Sequence, residues 1–152
     1  MTSSRLSREI LKAAALGDAG TVEQLNEERL SKDRSEDERR QFRTLVSALF
    51  CIVLERRFRD DASHAAVKRF IDEMRYDYRN AEPPIKPLVT EGLIRGVMGE
   101  EHLLDEIAPE EQLEAQFPVI RKITMQSEDM TNRIDAYLTD AEALAAQRVS
   151  ER

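Results

Sequence analysis

A run of ten residues from Leu45 to Leu54, LVSALFCIVL, is apolar on almost every side when it is drawn as a helix. A helix without a polar face has to be covered by other parts of the protein. The run is too short to cross a bilayer, which takes about 20 apolar residues, and Arg43 and Arg56 bound it. We therefore predict a buried central helix around which the rest of the chain packs.

The segments on either side of this run have the 3.6-residue spacing of amphipathic helices. A first helix is predicted to end near Gly17 and to form an αα-hairpin with a second helix. The apolar positions of these two helices are Leu6, Ile10, Ala13, Ala14, Val22, Leu25 and Leu30. Ser35 followed by Glu38 is a capping box, which predicts that the central helix begins near Glu36.

A fourth helix is predicted after the central one, with Asp60 or Asp61 as its N-cap. Its apolar face consists of Val67, Phe70, Ile71, Met74 and Tyr78. Further along the chain, Pro87 and Pro109 are each predicted to be the first residue of a helix, because proline is favoured there. Pro118 is predicted to kink or interrupt the second of these helices.

Helix-breaking residues gather in the segment 83–99, which contains three of the five prolines and three of the five glycines. Gly92, Gly96 and Gly99 would share one face of a helix, where the missing side chains let a backbone or a ligand come close. We interpret the segment as a tight corner or hinge with close helix packing. The alternatives are a partner-docking surface and a small-ligand pocket. The residues of that pocket would be Lys86, Gly92, Arg95 and Gly96.

Near the C-terminus, steps of three and four residues alternate along the positions Ile120, Ile123, Ser127, Met130, Ile134, Tyr137, Ala141 and Leu144, of which all but Ser127 are apolar. This is heptad spacing. It predicts a long helix with one narrow apolar seam, which needs either its own domain or a second copy as a partner. If the seam binds a partner, Ile134→Asp should abolish self-association while helicity stays nearly unchanged. The predicted partner-binding residues are Ile123, Met130, Ile134, Tyr137 and Leu144.

The fold class predicted from these patterns is all-α, since no segment shows the two-residue alternation of a strand. We expect a single domain over 1–152, a compact bundle of about six or seven helices with a corner or hinge near 83–99 and a long C-terminal helix. The net charge of −7 lies entirely in residues 83–152, which have 7 Lys and Arg against 14 Asp and Glu. This asymmetry also suggests two lobes, 1–82 and 88–152.

Catalytic and metal-binding patterns are missing from the sequence. His64 and His102 have carboxylates nearby, but a metal site needs three or four ligands. Cys51 lies inside the apolar run, and no nucleophile motif such as GxSxG is present. We therefore expect no catalytic residues, no metal and no cofactor. One cysteine and no apolar leader at the N-terminus are typical of a soluble cytoplasmic protein.

Arginine-rich segments between residues 39 and 79 supply a second functional hypothesis, because nucleic-acid surfaces interleave arginine with aromatic residues. The candidate residues are Arg39, Arg40, Arg43, Arg56, Arg57 and Arg59. Asp72 lies between Lys68 and Arg75 on one helix face, which favours a solvated face with salt bridges instead. The leading prediction is a non-catalytic interaction or regulatory protein that forms a homodimer or binds another protein. A nucleic-acid regulator and a small-ligand sensor are the alternatives.

Overall fold

The computed structural model describes residues 3–30 and 35–150, and within them every regular element is a helix. The elements are α1 (Ser3–Ala15), α2 (Ala19–Leu30), α3 (Glu36–Arg57), α4 (His64–Asp77), α5 (Pro87–Val97), a 3-10 helix (Glu101–Glu106), α6 (Pro109–Met125), α7 (Glu128–Asn132) and α8 (Ile134–Ser150). The predicted all-α bundle is confirmed. None of the described helices is both long and apolar enough to cross a membrane.

Helix α3 is the centre of the core, as the apolar run predicts. Its packing is mainly against α6 and α8, so that residues from both halves of the chain join one hydrophobic cluster. The hydroxyl of Ser35 accepts a hydrogen bond from the backbone N–H of Glu38 at 3.1 Å, and α3 begins at Glu36. The buried apolar residues of α3 are Phe42, Leu45, Val46, Ala48, Leu49, Phe50, Val53 and Leu54.

The hairpin of α1 and α2 turns at Gly17, whose φ of +74° favours glycine. A side chain there would also collide with α6, because a Cβ would lie 2.9 Å from the Sδ atom of Met125. Asp18 accepts a hydrogen bond from the backbone N–H of Thr21 at the start of α2. Helix α2 packs mainly on α1, and none of its described side chains, residues 19–29, is fully buried.

The N-cap of α4 is Ser63, so the prediction of Asp60 or Asp61 at this position is wrong. Ser63 accepts a hydrogen bond from the backbone N–H of Ala66, the third residue of the helix. Asp61 instead accepts a hydrogen bond from the N–H of Ser63 at 3.0 Å and stabilises the turn before the helix. The predicted apolar face is present: Val67, Phe70, Ile71 and Met74 are buried, and Tyr78 is half-buried directly after the helix.

Gly96 lets the 3-10 helix pack tightly on α5. A Cβ at Gly96 would lie 2.6 Å from Cδ2 of Leu104, whereas one at Gly92 would lie at an ordinary contact distance, 3.5 Å, from Cδ1 of Ile107. Arg95 holds the turn between the two helices by donating hydrogen bonds of 2.7 and 2.8 Å to the carboxylate of Glu100. These bonds lower the pKa of Glu100 to about 2.

Gly96→Ala should destabilise the domain by about 2 kcal/mol, because the new methyl group collides with Leu104. The double variant Gly96→Ala with Leu104→Ala should recover part of this loss, since the smaller residue makes room for the methyl group. Urea unfolding of the wild type, both single variants and the double variant measures the coupling. Strictly additive losses would contradict the close contact.

The heptad spacing near the C-terminus does not follow one helix. Helix α6 ends at Met125, and Ser127, counted in the sequence as a seam position, is the N-cap of α7. The long C-terminal helix is α8, which begins only at Ile134. Pro118 lies inside α6 and does not end it. The seam residues therefore reach the core from three helices.

Candidate functional site: a cleft beside α2

A cleft of about 920 Å³ separates α2 from the body of the domain. Ile10 of α1, Phe42 of α3 and Phe117 of α6 contribute to its apolar surface. The rings of Phe42 and Phe117 pack with their centroids 6.4 Å apart. Val22 lines the cleft from α2, and Ile85 lines it from the chain after α4. The volume is in the upper part of the range for ligand pockets, and the apolar lining can supply binding energy.

Most charged residues around the cleft are acidic. Glu23 and Glu27 of α2 and Glu82 of the segment after α4 are exposed there, and none of them makes an ion pair within the described part of the chain. Glu23 and Glu27 are four residues apart on one helix face, where like charges destabilise a helix by a few tenths of a kcal/mol. The cleft is thus lined by three carboxylates that have no ion-pair partner among the described residues.

Two arginines and a tyrosine also line the cleft. The guanidinium of Arg29 lies 4.2 Å from the ring centre of Phe42, and that of Arg121 lies 5.9 Å from the ring centre of Tyr78. Burial raises the pKa of the Tyr78 hydroxyl. This hydroxyl donates a hydrogen bond of 3.4 Å to the carbonyl of Pro118. Tyr78 therefore presents a neutral aromatic ring to the cleft, while the arginines cover aromatic rings in its wall.

The four residues predicted for a ligand pocket do not line this cleft, although Pro83 and Ile85 of the same segment do. Lys86 pairs with Glu111 at 3.3 Å, and Arg95 is occupied by Glu100. The remaining two are Gly92 and Gly96, beside which Ile107 and Leu104 fill the space. The proline end of the segment borders a cavity, whereas Gly96 is close-packed against Leu104.

The five residues predicted to bind a partner lie in or against the core of their own domain. Four of them are buried in the hydrophobic cluster, and Leu144 is half-buried against it. Tyr137 also donates a hydrogen bond of 2.6 Å to Asp129, which joins α8 to α7. The sequence left open whether the seam packs within its own domain or against a second copy. In the structure its own domain covers these side chains.

The six arginines predicted to bind nucleic acid form two groups, at opposite ends of α3, which are separated by roughly 24 Å along the helix. At the N-terminal end Arg39, Arg40 and Arg43 pair with Glu36 or Asp37 at distances of 2.8 to 3.5 Å. At the other end, Arg56 pairs with Asp129 and Arg59 with Glu55. Arg57 lies over the rings of Phe58 and Phe70. These arginines do not line up as one positive surface.

The histidines and the cysteine have local partners. His64 Nε2 lies 3.1 Å from the carboxylate of Glu100, and Arg148 donates a hydrogen bond of 3.2 Å to Sγ of Cys51. Within residues 3–30 and 35–150, no group of three or more His, Cys, Asp and Glu side chains could hold a metal ion.

The cleft beside α2 combines an apolar surface with a charged opening, an arrangement suited to reversible, non-covalent binding. Comparison of the chain with protein-family models, with curated proteins and with solved structures found no match.

Proposed function

We propose that this is a non-catalytic interaction protein that binds a basic amphipathic helix of a partner protein in the cleft beside α2. The observation that carries the proposal is an apolar cleft whose acidic residues have no ion-pair partner among residues 3–30 and 35–150. In helix-in-groove recognition, apolar side chains on one face of the ligand helix enter the groove. The lining residues Val22, Phe42 and Phe117 supply such a groove.

Charge complementarity selects the class of ligand. Lysine or arginine beside the apolar face of a bound helix would meet Glu23 and Glu27 on one wall and Glu82 on the other. Complementary charges of this kind increase the rate of association and reject ligands of the wrong sign. A small neutral ligand could donate hydrogen bonds to these three carboxylates but would not neutralise their charge, which is why we favour a basic segment of a protein.

The test uses two labelled model peptides that have leucine at helical spacing and differ only in their charged residues. The leucine–lysine peptide should bind at least about tenfold more tightly than the leucine–glutamate peptide, as measured by fluorescence anisotropy. Glu23→Gln with Glu27→Gln should weaken binding of the lysine peptide by about fivefold. Two-dimensional NMR should place the shifted resonances at Val22 and Phe117.

A matched control is available on α6, where Glu110 and Glu114 are also exposed and four residues apart but do not line the cleft. Glu110→Gln with Glu114→Gln removes the same charge and should leave peptide affinity unchanged within twofold. The proposal fails if neither peptide binds, if the two bind equally, or if the two double variants behave alike. If the protein is a homodimer that the lysine peptide dissociates, the ligand of the cleft is a segment of a second copy of this chain and not of another protein.

A further inference from the structure

A second cleft, of about 420 Å³, lies where α3, the start of α6 and the end of α8 meet. Arg40 and Arg43 line it from α3, and Arg148 lines it from α8. Among the described residues that line this cleft, none is acidic. Three guanidinium groups from two helices therefore surround one space in a chain whose net charge is −7. We propose that this cleft binds a small phosphorylated molecule.

Gln116 is the feature that points to a ligand. It lines the cleft, it is only 4% exposed, and its side-chain oxygen has no hydrogen-bond partner in the described structure. Its side-chain nitrogen donates to Oγ of Ser47 at 3.2 Å. If the amide is turned over, Ser47 can donate instead and the NH₂ group is the one left over. In either orientation one polar group of this cleft-lining side chain has no partner in the described structure, and buried polar groups are rarely left unpaired.

The three arginines are held near the cleft by contacts that leave some of their N–H donors for a ligand. The contacts of Arg40 with Asp37, at 3.5 Å, and of Arg43 with Glu36, at 3.4 Å, are long for ion pairs. Arg148 is positioned by its hydrogen bond to Cys51. A guanidinium has five N–H donors, so each arginine retains donors for an oxyanion. Guanidinium groups pair well with phosphate oxygens and form short, charge-assisted hydrogen bonds with them.

The size and charge of the cleft favour a small phosphomonoester over a nucleic acid or a simple carboxylate. A carboxylate has two oxygens to offer three arginines, whereas a phosphate has three terminal oxygens with tetrahedral geometry. The volume leaves room for a polar group beyond the phosphate, and a hydroxyl on that group can bond to Gln116. A nucleic acid would need a longer positive surface, but Arg56 and Arg59 are at the far end of α3.

The experiment is an NMR titration of the full-length protein with β-glycerophosphate, compared with succinate and with sodium chloride at equal ionic strength. We expect saturable binding with a Kd on the order of 1 mM or tighter. The shifts should be largest for the side-chain amide of Gln116 and the backbone N–H of Ser47. Succinate should bind at least fivefold more weakly. Equal affinities for succinate and β-glycerophosphate, or no saturable shift, would overturn the proposal.

Variants separate a ligand site from a structural cluster. Arg43→Gln and Arg148→Gln should each raise the Kd at least fivefold, whereas Arg75→Gln, an exposed arginine on α4, should not change it. Gln116→Leu keeps the volume and removes the unpaired amide, so the protein should fold and lose the ligand. Unaltered binding by Gln116→Leu overturns the proposal. The proposal is also overturned if a short single-stranded oligonucleotide binds more tightly than β-glycerophosphate and if Arg43→Gln and Arg56→Gln weaken its binding equally.

Discussion

Ile134→Asp should unfold the domain, with a loss of about 4 kcal/mol or more in the free energy of unfolding. Ile134 is only 5% exposed and belongs to the hydrophobic cluster at the start of α8. The substitution removes a buried isoleucine and puts a carboxylate in its place, and each change is costly by itself. This result differs from the one expected for an exposed dimer seam, where helicity would be retained. Far-ultraviolet circular dichroism during urea unfolding measures both.

Leu88→Asp is the matched control for this substitution. Leu88 is 83% exposed in the first turn of α5, where a carboxylate interacts favourably with the helix dipole. Its stability should stay within about 0.5 kcal/mol of the wild type. If Ile134→Asp unfolds at the same urea concentration as Leu88→Asp, then Ile134 is not part of the core.

Removing both partners of Lys122 should destabilise the protein by about 3 kcal/mol. The side chain of Lys122 is 3% exposed, and its ammonium group contacts Asp77 at 2.6 Å and Glu73 at 3.3 Å. Glu73→Gln with Asp77→Asn would leave this charge buried with no carboxylate to neutralise it. This value is at the lower end of the stability losses usual for a broken buried ion pair, because both carboxylates are half-exposed and water can replace part of the interaction.

Removing the lysine instead should have a much smaller effect. Lys122→Met keeps most of the buried volume and its packing near Phe70, and it leaves two half-exposed carboxylates that water can solvate. Replacing a buried ion pair by apolar groups is often neutral or stabilising. Adding Lys122→Met to the double variant should therefore restore most of the lost stability. Equal losses for Lys122→Met and for the double variant would contradict the buried-charge explanation.

Helix boundaries that depend on neighbouring residues were predictable from the sequence. The Ser35 hydroxyl accepts a hydrogen bond from the backbone N–H of Glu38, three residues along, and Pro87 and Pro109 suit a first turn whatever packs on it. Ser127 carried a similar local signal, because two acidic residues follow it, but the heptad spacing concealed it. The spacing arises because three successive helices each turn an apolar side toward α3 and its neighbours.

Features that depend on distant parts of the chain were not predictable in this way. Lys122 occupies an ordinary polar position in the sequence, and only the fold brings it to Asp77, 45 residues earlier. The cleft beside α2 depends on how the α1–α2 hairpin lies over α6, which no local pattern encodes. The one signal in the sequence was Glu23 and Glu27, an acidic pair on a helix with few apolar residues.

The shallow packing of α2 has a kinetic consequence. A helix with no fully buried side chain among residues 19–29 can detach at a small fraction of the free energy needed to unfold α3. The amide hydrogens of α2 should therefore exchange with solvent through local opening, whereas those of α3 should exchange only through global unfolding. Because α2 is also a wall of the cleft, the same opening would release the ligand helix that we propose, and the rate of this local opening would then limit the lifetime of the complex.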